Sequence, residues 1–481
     1  MARGRRAASL GPSGGGPRGL PRGELLTPAR AVAGLTAAGL LLRGAAAGRA
    51  AVLIRDGQGY LDVARLLRAG DLPGALGQHV PVAYPLLLVP AGGDPAAAAW
   101  LTAAASALAV PFAALSAGQR WGPRAAVWTA ALVALWPLGI EVGSELLSDG
   151  PFVAWTLGAV ACADRARLRG AGWALLAGAL GVLAYFTRPE GLLVLGGIGL
   201  ALCVSALRRR RLGLLAALGA PGLLGVGPYL LWIRRRAVLG GTQAGVWKLT
   251  LKRNLAERLS ILTPSLVLRR AGQLAWFAGA ALGPVGAALL AAGAWRRARG
   301  PRRPAGPWGL HLAVAALLVA AYLAIRVDPR YGLPLVGLAW PWLGRTAAEL
   351  ARDRRLRLGL LALLLVCASV ATLRPRRADK APLRAAGLAL RELGARRVLA
   401  HDSRAAFYAG AQPEHLLLHV PDRADQTPTR VIALARELGV DAVVWEVHGP
   451  EDRDALRALA PVRARFGDPG EVQLELYWLA R

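Results

Sequence analysis

The sequence predicts an α-helical polytopic membrane protein of about eleven spans with a small carboxyl-terminal α/β domain. Three observations carry that reading. The chain of 481 residues is 55% hydrophobic with a mean hydropathy of +0.40, and it repeatedly shows apolar runs long enough to cross a hydrocarbon core. Most of its charge gathers between those runs. After Leu373 the long runs give way to short apolar segments alternating with amphipathic helical patterns. The net charge of +30 would suit nucleic acid, but the arginines follow the loops, so no nucleic-acid partner is expected. Apolar content and only three cysteines exclude collagen-like, disordered and disulfide-scaffold classes. Cys162, Cys203 and Cys367 all sit within apolar runs and read as small hydrophobes.

Residues 1–30 are rich in Gly, Pro and Arg without apolar periodicity, and are expected to be a disordered basic tail. A first span follows over 31–54, retained as an anchor because no small-residue cleavage site follows a short apolar core. Arg43 interrupts it, at a cost of roughly 2.5–3.5 kcal/mol for a cation at mid-span. The outer loop 55–94 then alternates Leu, Ala and Val with Asp and Arg at helical spacing, which predicts an amphipathic helix at the membrane surface. The later spans are expected near Pro95–Ala117, Ala125–Ile140, Pro151–Ala163, Ala171–Phe186, Gly191–Leu207, Leu212–Ile233, Ala271–Trp295, Trp308–Ile325, Tyr331–Leu350 and Leu356–Leu373. Together with the first span they form a membrane domain over 31–373, and 374–481 form a soluble α/β domain. Its strands are expected in RRVLAHDS, VDAVVWEV and Glu471–Leu479, and its helices around Ala405–Ala409 and Thr429–Leu438.

Alternate connections are basic: the amino-terminal tail, Arg120/Arg124, Arg165/Arg167/Arg169, Arg208–Arg211, the cluster from Arg296 to Arg303, and Arg352 to Arg357. The positive-inside rule makes these cytoplasmic. The expected localisation is a bacterial-type inner (plasma) membrane, with the amino terminus cytoplasmic and the carboxyl-terminal domain extracytoplasmic. The long basic loop from Arg234 to Arg270 falls on the outer side against this pattern, and Trp247, Lys248, Lys252 and Arg253 within it could form a second interfacial helix.

Sorting by side collects Asp56, Glu145, Asp149, Arg188, Glu190 and Arg330 on the outer face, in short turns next to Pro or Gly. Transfer from a phosphate leaving group needs a carboxylate to take a proton and cations to hold the developing charge. Asp56 suits the first role, while the guanidinium forks of Arg188 and Arg330 suit the second. Tyr331 joins the donor-phosphate set, and Arg55, Tyr60, His79, Tyr84, Glu145, Asp149 and Glu190 are supporting candidates. His415 and His419 have helical ligand spacing but lie in an apolar run without a third ligand, so no metal site is assigned. No cofactor is implied, and the requirement for a divalent metal stays open.

The segments RDGQGYLDVARLLRAGDLPGALGQHVPVAYPLLLVP, SELLSDGPF, AYFTRPEGLL and DPRYGLPL, in that order, resemble the bacterial GT-C fold glycosyltransferases related to protein O-mannosyltransferases and aminoarabinose transferases. The resemblance implies a polyprenyl-phosphate-linked sugar donor but no particular acceptor; a lipid, glycan or protein acceptor is expected as the partner, together with membrane lipids. It assigns Asp56 as the catalytic acidic residue of the first outer loop. Many relatives carry two adjacent acids there, whereas Gly57 follows Asp56 in this chain.

Two other classes remain alongside this one. A secondary transporter would show pseudosymmetric halves and ionisable residues within spans. A non-catalytic membrane protein binding an envelope polymer would place Asp56 and Arg330 far apart.

Overall fold

The computed structural model describes residues 22–78, 80–240, 262–299, 309–324, 329–400, 402–410, 412–413, 428–447, 453–454, 457, 462–467 and 473–479. Each expected span contains helix among its described residues. The first is α1 (Arg22–Ala47), and the outer loop folds into α2 (Arg55–Arg68), α3 (Leu72–Gly77) and α4 (Ala83–Leu88). There follow α5 (Pro95–Ala107), α6 (Ala109–Trp121), α7 (Pro123–Leu135), α8 (Pro137–Gly143), α9 (Asp149–Arg169), α10 (Ala171–Thr187), α11 (Gly191–Arg209), α12 (Gly213–Pro221) and α13 (Gly227–Gly240). The bundle closes with α14 (Pro264–Arg299), α15 (Gly309–Ala324), α16 (Gly332–Leu350) and α17 (Arg354–Leu373). Four of the described helical stretches, Pro95–Trp121, Gly213–Trp232, Pro264–Arg299 and Arg354–Leu373, are long and apolar enough to cross a membrane. The pair α7–α8, bent by 57°, makes a fifth if it is one broken span, and Ala171–Thr187, Gly191–Val204 and Gly309–Ala324 are shorter apolar helices. Only 17% of the apolar window in Arg354–Leu373 is buried, so most of that helix faces outward, as a lipid-facing helix must.

The first segment differs from expectation at both ends. Helix α1 begins at Arg22, inside the stretch assigned to the tail, where Glu24-Leu25-Leu26 are good helix formers in the turns before Pro28. It ends at Ala47, before Gly48, and Ala50 then forms an isolated bridge with Arg376 beyond the last span. The Trp247–Arg253 segment, His415 and His419 lie outside the described residues.

Arg43 is 2% exposed, and its two terminal guanidinium nitrogens find partners where it sits, while Nε has none among the described residues. Helix α7 ends because Pro137 cannot donate a backbone hydrogen bond, which leaves the last carbonyls of α7 without helical partners. The Arg43 guanidinium donates to the Val133 carbonyl at 3.2 Å, to the Ala134 carbonyl at 3.5 Å and to Gly39 of its own helix at 2.9 Å. A cation at a helix carboxyl terminus also meets the negative end of the helix dipole. The mid-span charge is thus the cap of a broken neighbour. Arg270 does the same at another helix end, donating to the Leu323 and Ala324 carbonyls at 2.7 and 3.0 Å, where α15 stops.

The carboxyl-terminal domain is a five-stranded mixed sheet ordered β2-β1-β3-β5-β4. Its strands are β1 (Arg397–Ala400), β2 (Gln412–Pro413), β3 (Ala442–Val447), β4 (Val462–Phe466) and β5 (Gln473–Trp478). Strand β1 runs parallel to β2 and β3, and β5 runs antiparallel to β3 and β4. Period-two alternation sends Val398, Ala442 and Val444 to the face covered by α18 (Ala381–Glu392) and α19 (Ser403–Ala409). Leu399, Val443 and Trp445 point to the opposite face, against α20 (Pro428–Glu437). Strands β2 and β4 add to the expected three, and the last strand starts at Gln473 within the expected Glu471–Leu479.

Replacing Arg43 by Leu removes the donor to the carbonyls at the α7–α8 break, and each orphaned acceptor costs about 1–3 kcal/mol. Thermal unfolding in detergent is expected to fall by several degrees for Arg43→Leu, and an unchanged midpoint would show that the break needs no cap.

Candidate active site

The site is built around the start of α2, and the backbone just before that helix is fixed by the carboxyl-terminal domain. The Leu53 N–H donates to the Tyr408 hydroxyl at 2.8 Å, and the Leu53 carbonyl accepts from the Arg404 guanidinium at 3.4 Å. Asp402 holds that guanidinium at 2.6 Å, and the bonds from Arg404 outweigh burial to keep the Asp402 carboxyl below its ordinary range. Further along α2, Arg65 lies over the Phe407 ring at 5.1 Å. Gly57 packs so closely that a Cβ there would come within 2.8 Å of the Leu146 Cβ. The packing therefore has no room for a second acid after Asp56.

Asp56, in the first turn of α2, accepts from Arg330 at 3.1 Å. Arg330 lies in the turn before α16, and the same guanidinium nitrogen is 3.9 Å from Asp149. Asp149 opens α9, is 3% exposed, and accepts from Arg188 at 2.5 Å. Arg188 caps the end of α10 and donates also to Glu190, the residue preceding α11, at 3.0 Å. Each charge suits its helix end: acids at the starts of α2, α9 and α11, and a guanidinium at the end of α10. Burial alone would raise the Glu190 carboxyl, but the charge and hydrogen bonds of Arg188 hold it below its ordinary range. The Arg188 guanidinium, although buried, is pushed well above its usual value by Asp149 and Glu190.

Aromatic rings frame the charges. Arg188 lies 5.6 Å from the Tyr331 ring and 5.9 Å from the Phe152 ring, and Tyr331 stacks on Tyr322 at 4.5 Å. Tyr60 shares a hydrogen bond with Ser148, the residue before Asp149, at 3.0 Å. Burial raises the Tyr60 phenol above its ordinary value, so it stays protonated. Tyr84 is buried edge-on against Tyr60 at 4.7 Å and shares a hydrogen bond with Thr102, placing it in support of α2.

The other candidates are placed apart from this network. Glu145 turns away and pairs with Arg377 at 2.7 Å. Arg55 is exposed and faces the Asp402 side, where its charge helps lower that carboxyl. His79 lies outside the described residues. Sequence reasoning did not find the residues that join the domains: Tyr408, Arg404, Arg376 and Arg377. Buried Arg376 donates to the Glu141 carbonyl at 2.5 Å and to the Ser144 hydroxyl, behind the turn that carries Asp149. A pair of arginines directly after the last span was the one available signal. Among the described residues there is no group of three or more His, Cys, Asp or Glu able to hold a metal ion.

An apolar helical bundle with an amphipathic helix after its first span, clustered charges at one end and a sheet domain docked there defines a membrane protein of the GT-C fold. The resemblance read from the sequence holds in three dimensions. The chain superposes on the crystal structure of ArnT from Cupriavidus metallidurans bound to undecaprenyl phosphate with a TM-score of 0.59. That match has 15% identity and covers 94% of this chain and 98% of ArnT. It superposes equally on the archaeal oligosaccharyltransferase AglB from Archaeoglobus fulgidus, in complex with an inhibitory peptide and a dolichol-phosphate, with a TM-score of 0.58 and 12% identity. There 91% of this chain and 72% of AglB are covered. At such identities the likeness is one of fold. Residues 88–220 match the family described as dolichyl-phosphate-mannose-protein mannosyltransferase. No curated protein matches the chain by sequence.

The two guanidiniums of the site should differ sharply in what they contribute to stability. Arg188→Ala strands two largely buried carboxylates and is expected to cost about 3–5 kcal/mol. Arg330→Ala breaks a pair whose members are 35% and 50% exposed, and should cost roughly 0–1 kcal/mol. Chemical denaturation in detergent compares them, and equal losses would contradict this division.

The lowered Glu190 carboxyl contributes stability that is present above its ordinary value of 4.5 and lost as pH falls through its lower folded value. Glu190→Gln should flatten that acid-side slope. An unchanged pH profile would remove the coupling to Arg188.

Proposed function

We propose that the protein is an integral membrane glycosyltransferase that moves a sugar from a polyprenyl-phosphate carrier to an acceptor hydroxyl at the extracytoplasmic face. The observation that carries this is the connected network of Asp56, Arg330, Asp149 and Arg188 at the end of the bundle where the sheet domain docks. ArnT is bound to undecaprenyl phosphate and AglB to a dolichol-phosphate, and the matched family is named for a dolichyl-phosphate-mannose donor. A polyprenyl phosphate is the chemistry common to the three. The side of the membrane is taken from the positive-inside asymmetry of the loops.

In this proposal Arg330 exchanges partners. Its contact with Asp56 is exposed and weakly held, so a donor phosphate can take the guanidinium fork and leave Asp56 accessible. Three carboxylates share two guanidiniums, and Asp56 is the most exposed of the three, with the smallest share of positive charge. It is therefore the carboxylate most open to an acceptor hydroxyl. The acceptor oxygen attacks the anomeric carbon and its proton passes to Asp56. The bond from that carbon to the phosphate oxygen breaks, and the electron pair leaves on the polyprenyl phosphate with inversion at the sugar. Arg188, with Tyr331 against it, forms the positive base of the phosphate pocket and fixes Asp149.

The 3.1 Å contact between Arg330 and Asp56 weighs against a non-catalytic polymer-binding role, which would have separated them.

Asp56→Asn should lower sugar transfer about 10²–10⁴-fold in a membrane assay with a polyprenyl-phosphate sugar, at normal expression and unfolding temperature. Full transfer by that variant would take Asp56 out of the reaction. Arg330→Ala should raise the KM for donor more than for acceptor, whereas equal shifts would count against a phosphate contact.

A further inference from the structure

A cavity of about 790 Å³ lies between the membrane bundle and the sheet domain, on the face of α2 turned away from the Asp56 network. Asp56 and Arg65, nine positions apart on one helix, fall on opposite faces: Arg65 lines the cavity, and Asp56 meets Arg330. The turn before α9 divides the two regions in the same way, since Glu145 lines the cavity and Asp149 belongs to the network. The two regions thus share a wall.

The charges of the cavity do not balance. Arg377 is paired with Glu145, and the Asp94 carboxylate is used in capping α5 at the Ala97 N–H, 2.8 Å away. Arg65 is paired with Asp62. That leaves Arg384 and Arg391, which with Leu388 form an i, i+4, i+7 stripe on the exposed side of α18 and line the cavity. Neither has a carboxylate partner among the described residues; Arg384 lies over the Tyr408 ring at 5.9 Å. The opposite side of α18, Leu383, Ala386 and Leu390, is buried against the sheet, so the stripe is held toward the cavity.

The other wall leads onto the outer surface of α1. Gly48 of the α1 end lines the cavity. One turn back, Gly44 admits the Trp100 ring, since any Cβ there would collide with it. One turn further, Leu41 is 62% exposed on the bundle surface, and Trp100 is itself 46% exposed. A guanidinium pair above an apolar track with a tryptophan at its edge has the polarity of a phospholipid at the headgroup boundary.

We propose that this cavity binds the phosphate headgroup of an anionic membrane lipid, with Arg384 and Arg391 on the phosphate and the acyl chains running along the Leu41–Gly44–Trp100 face. The site is separate from the proposed donor site and stands independently of the transferase assignment. Its occupant would touch the common wall of α2 and the Glu145 turn.

Native mass spectrometry of the full chain from detergent, with added dioleoyl phosphatidic acid, dioleoyl phosphatidylcholine or inorganic phosphate, tests this. Wild type should retain phosphatidic acid at least tenfold more than phosphatidylcholine, and excess inorganic phosphate should not displace it. Arg384→Gln/Arg391→Gln should lose that preference about tenfold, Arg384→Lys/Arg391→Lys should keep most of it, and Arg330→Ala, whose ion pair is exposed, should leave it unchanged. Equal retention of the two lipids, no loss in the double Gln variant, displacement by inorganic phosphate, or loss in Arg330→Ala would each overturn the proposal.

Discussion

The arrangement of the site depends on one buried ion pair, Asp149 with Arg188. Helices α9 and α10 run antiparallel as a hairpin, and the pair closes its open end, with the acid at one helix start and the guanidinium at the neighbouring helix end. Each charge is therefore stabilised twice, by its partner and by the dipole of its own helix. Removing either would leave a charge buried without compensation, so the hairpin end is held in a single geometry. Everything else at the site refers to that fixed point. Arg330 spans from it to Asp56, Glu190 starts the next helix from it, and Tyr331 lies against it.

The second recurring device is the use of arginine to satisfy carbonyls where helices are broken or stop. Arg43 serves the α7–α8 break, Arg270 the end of α15, and Arg376 the end of α8. A hydrocarbon environment offers no water to these carbonyls, so a long side chain with several donors is the available substitute. The net charge of +30 therefore has several origins. Part follows the loops, part sits inside the bundle as caps, and Arg120, buried with Asp164 and His311 near the ends of α6 and α9, ties helices together at the end opposite the site.

The helices and the membrane class were legible in the sequence because apolar length and period survive any tertiary context. The grouping of Asp56, Asp149, Arg188 and Arg330 was legible because each lies in a short turn and alternate turns share a side. What could not be read was direction. Glu145 and Asp149 are four residues apart in one turn, yet they face different neighbours, a distinction set by packing against Leu146 and by Arg377. The docking of α19 on Leu53 was equally hidden, since a backbone clamp leaves no pattern in the clamped residues. Arg43 looked like a defect in its span because the break that it caps lies ninety positions further along the chain.

Gly57 ties the history of this loop to a distant residue. With the Leu146 Cβ 2.8 Å from where a side chain would begin, position 57 cannot take a side chain while the 146 turn stays where it is. A second acid in this loop therefore needs either glycine at 146 or a shift of the turn that carries it. In this chain the second carboxylate near Arg330 comes instead from Asp149, at the head of a different helix. Two carboxylates thus meet one guanidinium from two unrelated stretches of sequence, and a reading confined to the loop itself would overlook the second.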